Sequence, residues 1–266
     1  MSSTHFIGAF LAVEMLAAVV LTAHAQERQL TSGAFPLSGY HYMGTQIQEL
    51  QDDEFLNPGR FAVDHGLELW LESDGSEGLS CHSCHGDASV SMSGVAARYP
   101  QFDENRRSLV NLEGRINEMR TEFMKAEPLE LESEEMLALA AYLTFQSLGE
   151  VMDVDVSGEA ARYLEEGREY YMQRRGQLDL ACSQCHDERA GMMLRGDRIS
   201  QGHVNGFPVY RLIWRSMGSR HRMFRWCNWA VRAEPRELGS DEYLSLELYL
   251  AWRGRGLNIE SPAVRP

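Results

Sequence analysis

Two pentapeptides of the form Cys-x-x-Cys-His constrain this 266-residue chain more than any other feature. They are Cys81-His82-Ser83-Cys84-His85 and, 101 residues later, Cys182-Ser183-Gln184-Cys185-His186. Two thiols at this spacing can form thioethers with the two vinyl groups at one edge of a haem, and the histidine that follows is then held beneath the iron. A lone Cys-x-x-Cys also suits a redox dithiol or half of a zinc site. A zinc site would need both pairs at one metal and would leave two histidines unused. The pentads therefore predict two covalently bound c-type haems, with His85 and His186 as proximal ligands.

The N-terminus has the features of an export signal. Residues 6–20 are mostly apolar, and Ala23-His24-Ala25 supplies small residues at a cleavage site before Gln26. An uncleaved anchor is the alternative, and the shortness of the apolar stretch disfavours it. We expect a signal peptide over residues 1–25, cleaved after Ala25, and a periplasmic protein without a membrane span. The formal net charge of −14 argues against nucleic acid as a partner.

The stretches around the two pentads resemble each other. Gly66 and Gly167 stand at the same distance before their pentads on amphipathic helical patterns, which predicts close helix–helix contact. Each half ends in a second helical pattern that opens with a serine and two acids, at 133–135 and 240–242. We find no convincing strand pattern. The sequence predicts an all-α fold with two cytochrome c-like domains related by internal duplication. The predicted units are an N-terminal extension (26–56), domain 1 with haem 1 (57–152) and domain 2 with haem 2 and the active site (153–266).

The fifth cysteine, Cys227, remains after both pentads are used. In an exported protein it is a buried inert thiol, half of an intermolecular disulfide, a haem ligand or a nucleophile. It lies in a segment, 198–233, that contains seven arginines and no Asp or Glu. The arginines predict either a patch that pairs with the acidic first domain or with haem propionates, or an anion site around a thiol whose pKa they lower. They are Arg198, Arg211, Arg215, Arg220, Arg222, Arg225 and Arg232.

A further set of residues carries a family resemblance. The most specific blocks are Ser219-Arg220-His221-Arg222-Met223-Phe224-Arg225-Trp226-Cys227-Asn228 and Val231-Arg232-Ala233-Glu234-Pro235, with Tyr99-Pro100-Gln101-Phe102-Asp103 and Arg115-Ile116-Asn117 upstream. In these blocks the chain resembles the SoxA subunits of the SoxAX cytochromes. The resemblance implies the catalytic dihaem subunit of an L-cysteine S-thiosulfotransferase. Such an enzyme couples thiosulfate oxidatively to a cysteine of the SoxYZ carrier protein in sulfur oxidation, and electrons leave through c-type haem. It also implies a monohaem SoxX-type cytochrome as the partner subunit in a heterodimer.

The resemblance assigns roles to single residues. It makes Cys227 the distal ligand of the second haem and a thiol that can carry an extra sulfur as persulfide. The family's substrate arginine aligns with Met223, so Arg222 and Arg225 on either side are the candidates to hold thiosulfate. The family's cysteine ligand of the first haem aligns with Met119, and Met92 and Met124 are the alternatives.

Two other functions fit the pentads alone. A dihaem electron-transfer cytochrome would use Cys227 only as a ligand or packed thiol and the arginines as a docking face. A thiosulfate dehydrogenase that forms tetrathionate would also combine two c-type haems with a cysteine ligand. The C-terminal blocks favour the thiosulfotransferase.

Overall fold

The computed structural model describes residues 36–266, so the expected signal peptide lies outside it. The described chain is mainly helical, with short single turns of 3-10 helix at Gly39–Tyr42 and Ala96–Arg98. None of its helices is both long enough and apolar enough to cross a bilayer. The α-helices are α1 (Thr45–Asp52), α2 (Arg60–Leu71), α3 (Cys81–His85), α4 (Ala88–Ser91), α5 (Leu112–Met119), α6 (Glu134–Phe145), α7 (Ala160–Met172), α8 (Cys182–His186), α9 (Arg220–Ala230) and α10 (Asp241–Arg253).

Three small sheets correct the expectation of an all-α fold. Two are antiparallel pairs. The third has the spatial order Ser216–Gly218, Val209–Arg211, Ala263–Arg265, and its central strand is antiparallel to the first and parallel to the last. Strands of two or three residues are too short to show the alternation of apolar and polar residues that marks a strand in a sequence. The strands are β1 (Gln101–Asp103), β2 (Ser108–Val110), β3 (Met193–Leu194), β4 (Asp197–Arg198), β5 (Val209–Arg211), β6 (Ser216–Gly218) and β7 (Ala263–Arg265).

Two helix crossings form the body of the molecule. Helix α2 packs against α6, and α7 packs against α10. A Cβ on Gly66 would lie 2.2 Å from the carbonyl oxygen of Ala138, and one on Gly167 would lie 2.0 Å from that of Ser245. Both helices therefore approach their partners closely enough that only glycine fits. The prediction of close contact at the two glycines is confirmed.

The same local contacts recur around the two pentads. Gly75 and Gly176, each with positive φ, lie against the backbone of a segment whose central residue is also left-handed, Lys125 in one case and Arg232 in the other. Tilted aromatic pairs pack near each crossing: the ring centroids of Trp70 and Tyr142 are 6.1 Å apart, and those of Tyr171 and Tyr249 are 5.3 Å apart.

The predicted helix starts are close to the observed ones. Ser133 caps α6, and its hydroxyl accepts a hydrogen bond from the Met136 amide. Ser240 occupies the same position on α10 without a side-chain capping bond.

Residues 36–56 pack over the C-terminal end of the chain. The Gln51 carboxamide oxygen accepts a hydrogen bond from the Val264 amide at 3.1 Å, and the Ser38 hydroxyl donates to a Glu260 carboxylate oxygen at 2.6 Å. These bonds fix the end of the chain as β7, beside β5, and so set the position of the sheet that faces α9.

A buried polar cluster joins the two halves. The Glu247 carboxylate lies 3.0 Å from an Arg220 nitrogen and 3.0 Å from His221 Nε2, and it accepts a hydrogen bond from Asn111 at 3.1 Å. Burial alone would raise the pKa of Glu247, but the positive charges of Arg220 and His221 outweigh it and hold this pKa low. Nearby Glu113 is buried as well, and burial, together with the charge of Glu247, raises its pKa.

Candidate haem sites and thiol site

The second pentad forms the one-turn helix α8. A side-chain oxygen of Gln184 accepts a hydrogen bond from the Ala181 amide at 2.9 Å and so fixes the entry to the turn. The Nδ1 atom of His186 lies 2.8 Å from the Ser200 carbonyl oxygen, and a Cβ on Gly202 would lie 3.0 Å from the His186 ring. A bond of this kind places the ring proton on Nδ1 and leaves the Nε2 lone pair for a metal. Burial lowers the pKa of His186, which also favours the neutral, ligating form.

The first pentad forms the equivalent helix α3. Ser80 and Ser83 close its N-terminus with reciprocal side-chain hydrogen bonds to the backbone. The indole of Trp70 donates to the Gly86 carbonyl oxygen at 3.1 Å, and its ring lies 5.7 Å from that of His85. Cys84 and His85 are exposed on this turn, so a large planar group has access to both side chains.

The donor set fits haem rather than zinc. All five cysteines are free thiols, and no three His, Cys, Asp or Glu side chains between residues 36 and 266 converge where a metal ion would need them. The two Cys-x-x-Cys pairs therefore do not share one metal. Each pair instead presents two thiols and one histidine on a single turn, which is the arrangement that covalent haem requires. His186 adds the oriented ring that an iron ligand needs.

Cys227 lies on α9, close to the second pentad. The pKa of its thiol is raised to about 12, mainly by burial and in part by Cys182 and Cys185, while Arg211 opposes the shift. Arg211 does lower this pKa, but the net shift is upward, because desolvation of the thiol outweighs the charge of Arg211. A thiol bound to a metal ion is deprotonated outright, so iron would supply what the arginines do not.

The turn that carries Cys227 is held by its neighbour Asn228. The Asn228 carboxamide donates to the Phe224 carbonyl oxygen at 2.8 Å and lies 3.2 Å from the Tyr243 hydroxyl of α10. The hydroxyl of Ser219 caps the other end of the helix by accepting from the Arg222 amide. Cys227 thus sits on a helix that is fixed at both ends. Asn228 belongs to the family block, but nothing in the sequence pattern indicates that its side chain holds this turn.

The arginines around Cys227 have different surroundings. Arg222 bonds to the Ser216 hydroxyl and the Met217 carbonyl oxygen, and lies 3.9 Å from Glu132 of the preceding half. Arg220 is buried against Glu247. A segment without acids in the sequence therefore meets acids in space. The contact of Arg222 with Glu132 supports the interpretation of the patch as pairing with the first domain, whereas Glu247 belongs to the second domain. Arg225 stacks on Trp229 at 5.4 Å, and its buried Nε has no hydrogen-bond partner in the described chain.

Arg211 belongs to the arginine-rich segment and lies near Cys227, although the sequence singled out Arg222 and Arg225 instead. It lies on β5, sixteen residues before Cys227, and its Nη1 is 3.8 Å from the Sδ atom of Met223. Its charge acts on the Cys227 thiol. The arginine-rich segment includes Arg211 but does not show that it approaches Cys227, because the sheet that brings it to α9 has no visible pattern in the sequence.

The segment that corresponds to α9 in the first half contains one extra residue. When residues are counted forward from the helix caps Asn111 and Ser219, the counterpart of Cys227 is Met119. When they are counted backward from the left-handed residues Lys125 and Arg232, the counterpart is Arg120 instead. A turn of π-helix at Arg120–Met124 accommodates the difference. Arg120 lies within electrostatic range of Cys81 and forms an ion pair with Asp74 at 2.6 Å.

The mainly helical fold and the two pentads define a class of protein, the c-type cytochromes. The model of the SoxA/TsdA cytochrome c domain matches residues 65–152. The L-cysteine S-thiosulfotransferase subunit SoxA of Pseudaminobacter salicylatoxidans is 44% identical over 230 residues, which cover 86% of this chain and 80% of that protein. Its counterpart from Paracoccus pantotrophus is 40% identical over 228 residues, 86% of this chain and 78% of that protein.

The structural comparison agrees with these relatives. The crystal structure of SoxXA from P. pantotrophus superposes with a TM-score of 0.84 over 87% of both chains, at 39% sequence identity. The chain belongs to the SoxA family of L-cysteine S-thiosulfotransferase subunits. The resemblance carried by its sequence blocks is confirmed.

Proposed function

We propose that this chain is the catalytic dihaem subunit that oxidatively couples thiosulfate to a cysteine of a SoxYZ-type carrier. The observation that carries the proposal is the position of Cys227. It is a half-buried thiol within electrostatic range of the second pentad, on the helix formed by the family block 219–228. An electron carrier would need a ligand at this point, but it would not need a sulfur nucleophile beside a cluster of arginines.

Two c-type haems are the proposed cofactors. Cys81 and Cys84 would hold the first and Cys182 and Cys185 the second, with His85 and His186 as proximal ligands. The matching one-turn helices of the two pentads support this assignment. When bound, haem iron accepts single electrons, and an oxidative coupling of two sulfur atoms has to release two.

We propose two cytochrome c-like domains, residues 57–152 and 153–266, that arose by internal duplication, preceded by the extension 26–56. The paired glycine contacts at Gly66 and Gly167 support the duplication. So does the recurrence of a left-handed residue after α5 and its π-turn and after α9.

Cys227 is the proposed catalytic residue. Its thiolate forms a bond with the outer sulfur of thiosulfate, and the two electrons released leave for the c-type cytochrome acceptor. A carrier thiolate, its proton already lost to solvent, then attacks that outer sulfur. The bond to Cys227 breaks, Cys227 leaves as a thiolate, and the carrier cysteine keeps the sulfur with its sulfonate. A Cys227 that retains one sulfur atom would be a persulfide.

Arg222 and Arg225 lie on the same helix as Cys227 and are the proposed cations that hold thiosulfate. Their contacts suggest that they contribute unequally to binding this anion. The guanidinium of Arg222 is engaged with Ser216, Met217 and Glu132, so it supplies mainly a positive field. Arg225 has a buried nitrogen that no described residue satisfies, so it has a donor to offer an anion.

Met119 is the proposed distal ligand of the first haem. It is the counterpart of Cys227 when the two helices are compared from their N-terminal caps. A thioether is a competent haem ligand, and pairing it with His85 gives a higher potential than the thiolate at the second site.

The proposed partners are a monohaem SoxX-type subunit, which would take up electrons, and the SoxYZ carrier. The structure matched at TM-score 0.84 is that of a SoxXA complex, which supports a heterodimer. The proposed location is the periplasm, after cleavage of the signal peptide 1–25.

One experiment separates this function from its alternatives. The purified complex with its cytochrome subunit is incubated with thiosulfate and a carrier, and the products are measured by intact mass. We expect two haems on this chain and a carrier adduct equal to thiosulfate minus two electrons and one proton. Tetrathionate with an unmodified carrier would indicate a thiosulfate dehydrogenase. Neither product would indicate an electron-transfer cytochrome.

A further inference from the structure

Arg211 is held rigidly at the face of α9 that carries Cys227. It is the last residue of β5, where it lies opposite Ser216 of β6 and Arg265 of β7. Its Nε donates to the Pro266 carbonyl oxygen at 2.8 Å. The guanidinium lies 5.1 Å from the ring of Trp214, so aromatic packing and a backbone bond fix its orientation.

Met223 connects this guanidinium to the thiol. The Nη1 atom of Arg211 is 3.8 Å from the Met223 sulfur. Met223 precedes Cys227 by four residues on a continuous helix, so the two side chains share one face, about 6 Å apart along the helix axis. A guanidinium beside Met223 therefore stands one helical turn from the reactive sulfur.

The free side of Arg211 suits an anion. The contacts of its guanidinium within residues 36–266 use Nε and Nη1, which leaves Nη2 available. Burial lowers the pKa of Arg211, and the charges of Cys227 and Asp197 raise it. A partly desolvated guanidinium without a carboxylate hydrogen bond gains more from binding an oxygen-rich anion than an exposed guanidinium does. Arg222, by contrast, already bonds to Ser216 and Met217.

We propose that Arg211 binds the sulfonate end of thiosulfate, and that the unbranched, uncharged side chain of Met223 leaves the space in which it does so. This inference rests on the proposed function and adds a residue to it. The guanidinium holds the three sulfonate oxygens away from the helix, so that the outer sulfur is presented to Cys227. Since position 223 of α9 carries no charge in this chain, Arg211 of β5 supplies an anion-binding charge in addition to that of Arg225.

A purely structural role for Arg211 makes different predictions. As a packing residue for Trp214 and Trp226 it would affect stability, and any loss of activity would appear in kcat and in folding together. As an anion ligand it affects the KM for thiosulfate. A charge placed at position 223 would then compensate for its loss.

The test uses the holoprotein with its cytochrome subunit and carrier, and measures kcat and KM for thiosulfate at fixed ionic strength. The variants are Arg211→Gln, Arg211→Lys, and Arg211→Gln combined with Met223→Arg. Arg215→Gln is the matched control, because it removes an exposed arginine from the β5–β6 turn. We expect Arg211→Gln to raise KM about tenfold or more, the loss expected for a hydrogen bond to a charged group. The double variant should recover most of this loss, and Arg215→Gln should match wild type.

Haem spectra and far-UV circular dichroism establish that each variant is folded. If Arg211→Gln does not fold, Arg211→Lys decides, because it keeps the charge but loses the planar donor fork, and its KM must rise. A KM for Arg211→Gln or Arg211→Lys within twofold of the Arg215→Gln value overturns the proposal. Failure of the wild-type complex to modify the carrier would instead refute the proposed function, so the two failures are separate.

Discussion

Gly167 lies directly against the backbone of Ser245, with only 2.0 Å between the place a Cβ would occupy and the Ser245 carbonyl oxygen. Alanine on a helix is favoured over glycine by about 1 kcal/mol. Here the clash with fixed backbone outweighs that gain, since overpacking typically costs about 1–3 kcal/mol and a backbone neighbour cannot rotate away. We expect Gly167→Ala to lower the free energy of unfolding by about 3 kcal/mol, within that range, in urea denaturation.

Gly66→Ala should have a similar effect through Ala138, with the larger spectral change at the first haem. Gly196→Ala is the control, because a Cβ there meets nothing within 4 Å. Equal stability of the Gly167 and Gly196 variants would contradict the tight crossing.

Replacement of a buried carboxyl by glutamine at the junction of the halves should affect the stability of the protein differently at Glu247 and at Glu113. Glu247 has a lowered pKa, so its stabilising contribution is present above its unfolded pKa of about 4.3 and is lost as pH falls through the folded value. Glu247→Gln leaves Arg220 buried without its partner and should cost about 3–5 kcal/mol at pH 7. The difference from wild type should shrink on acidification.

Glu113 has a raised pKa, so its contribution is present below an unfolded pKa of about 4.3 and is lost as pH rises through the folded value. Glu113→Gln should therefore not destabilise the protein at pH 7, and its advantage over wild type should grow between pH 4 and neutrality. Melting temperatures across this range test both variants. A Glu113→Gln protein as unstable as Glu247→Gln would show that the assigned directions are wrong.

Ligation of the first haem by Met119 predicts a weak near-infrared band of methionine-bound ferric haem. We expect Met119→Ala to abolish the band and to lower the potential of that haem, because a thioether favours the ferrous state. Met92→Ala is the control and should keep the band. Persistence of the band in Met119→Ala would show that the ligand is Met92 or Met124, or lies outside this segment.

Arg222 and Arg225 should differ when each is changed to glutamine. Arg222→Gln removes bonds to Ser216 and Met217, so it should lower thermal stability with little change in the KM for thiosulfate. Arg225→Gln removes an unpaired buried donor, so it should raise KM while stability stays close to that of wild type. The reverse pattern would exchange their roles.

The parts of the site that were predictable lie close together in the sequence. Both pentads, the paired glycines and Cys227 with its block could be found because their chemistry is carried by short spacings. Arg211 was not selected, since it reaches Cys227 through three-residue strands that leave no periodic signal. The acid-free segment around Cys227 was also a poor guide to the charges at the site. Burial dominates the pKa of the Cys227 thiol, and Glu247 reaches the arginines of this segment from another helix. Met119 and Arg120 compete for one place because a single extra residue changes the register.

The central claim is that the sulfur of Cys227 carries out the transfer to the carrier. The most direct measurement is the intact mass of the carrier after incubation with thiosulfate and the complex containing Cys227→Ala. Trp229→Phe, on the exposed side of the same helix, is the control. We predict that the Cys227→Ala protein keeps two covalent haems, shows an altered spectrum for one of them and leaves the carrier unmodified, while the control modifies it fully. Full thiosulfate-dependent modification of the carrier by the Cys227→Ala protein would contradict the claim.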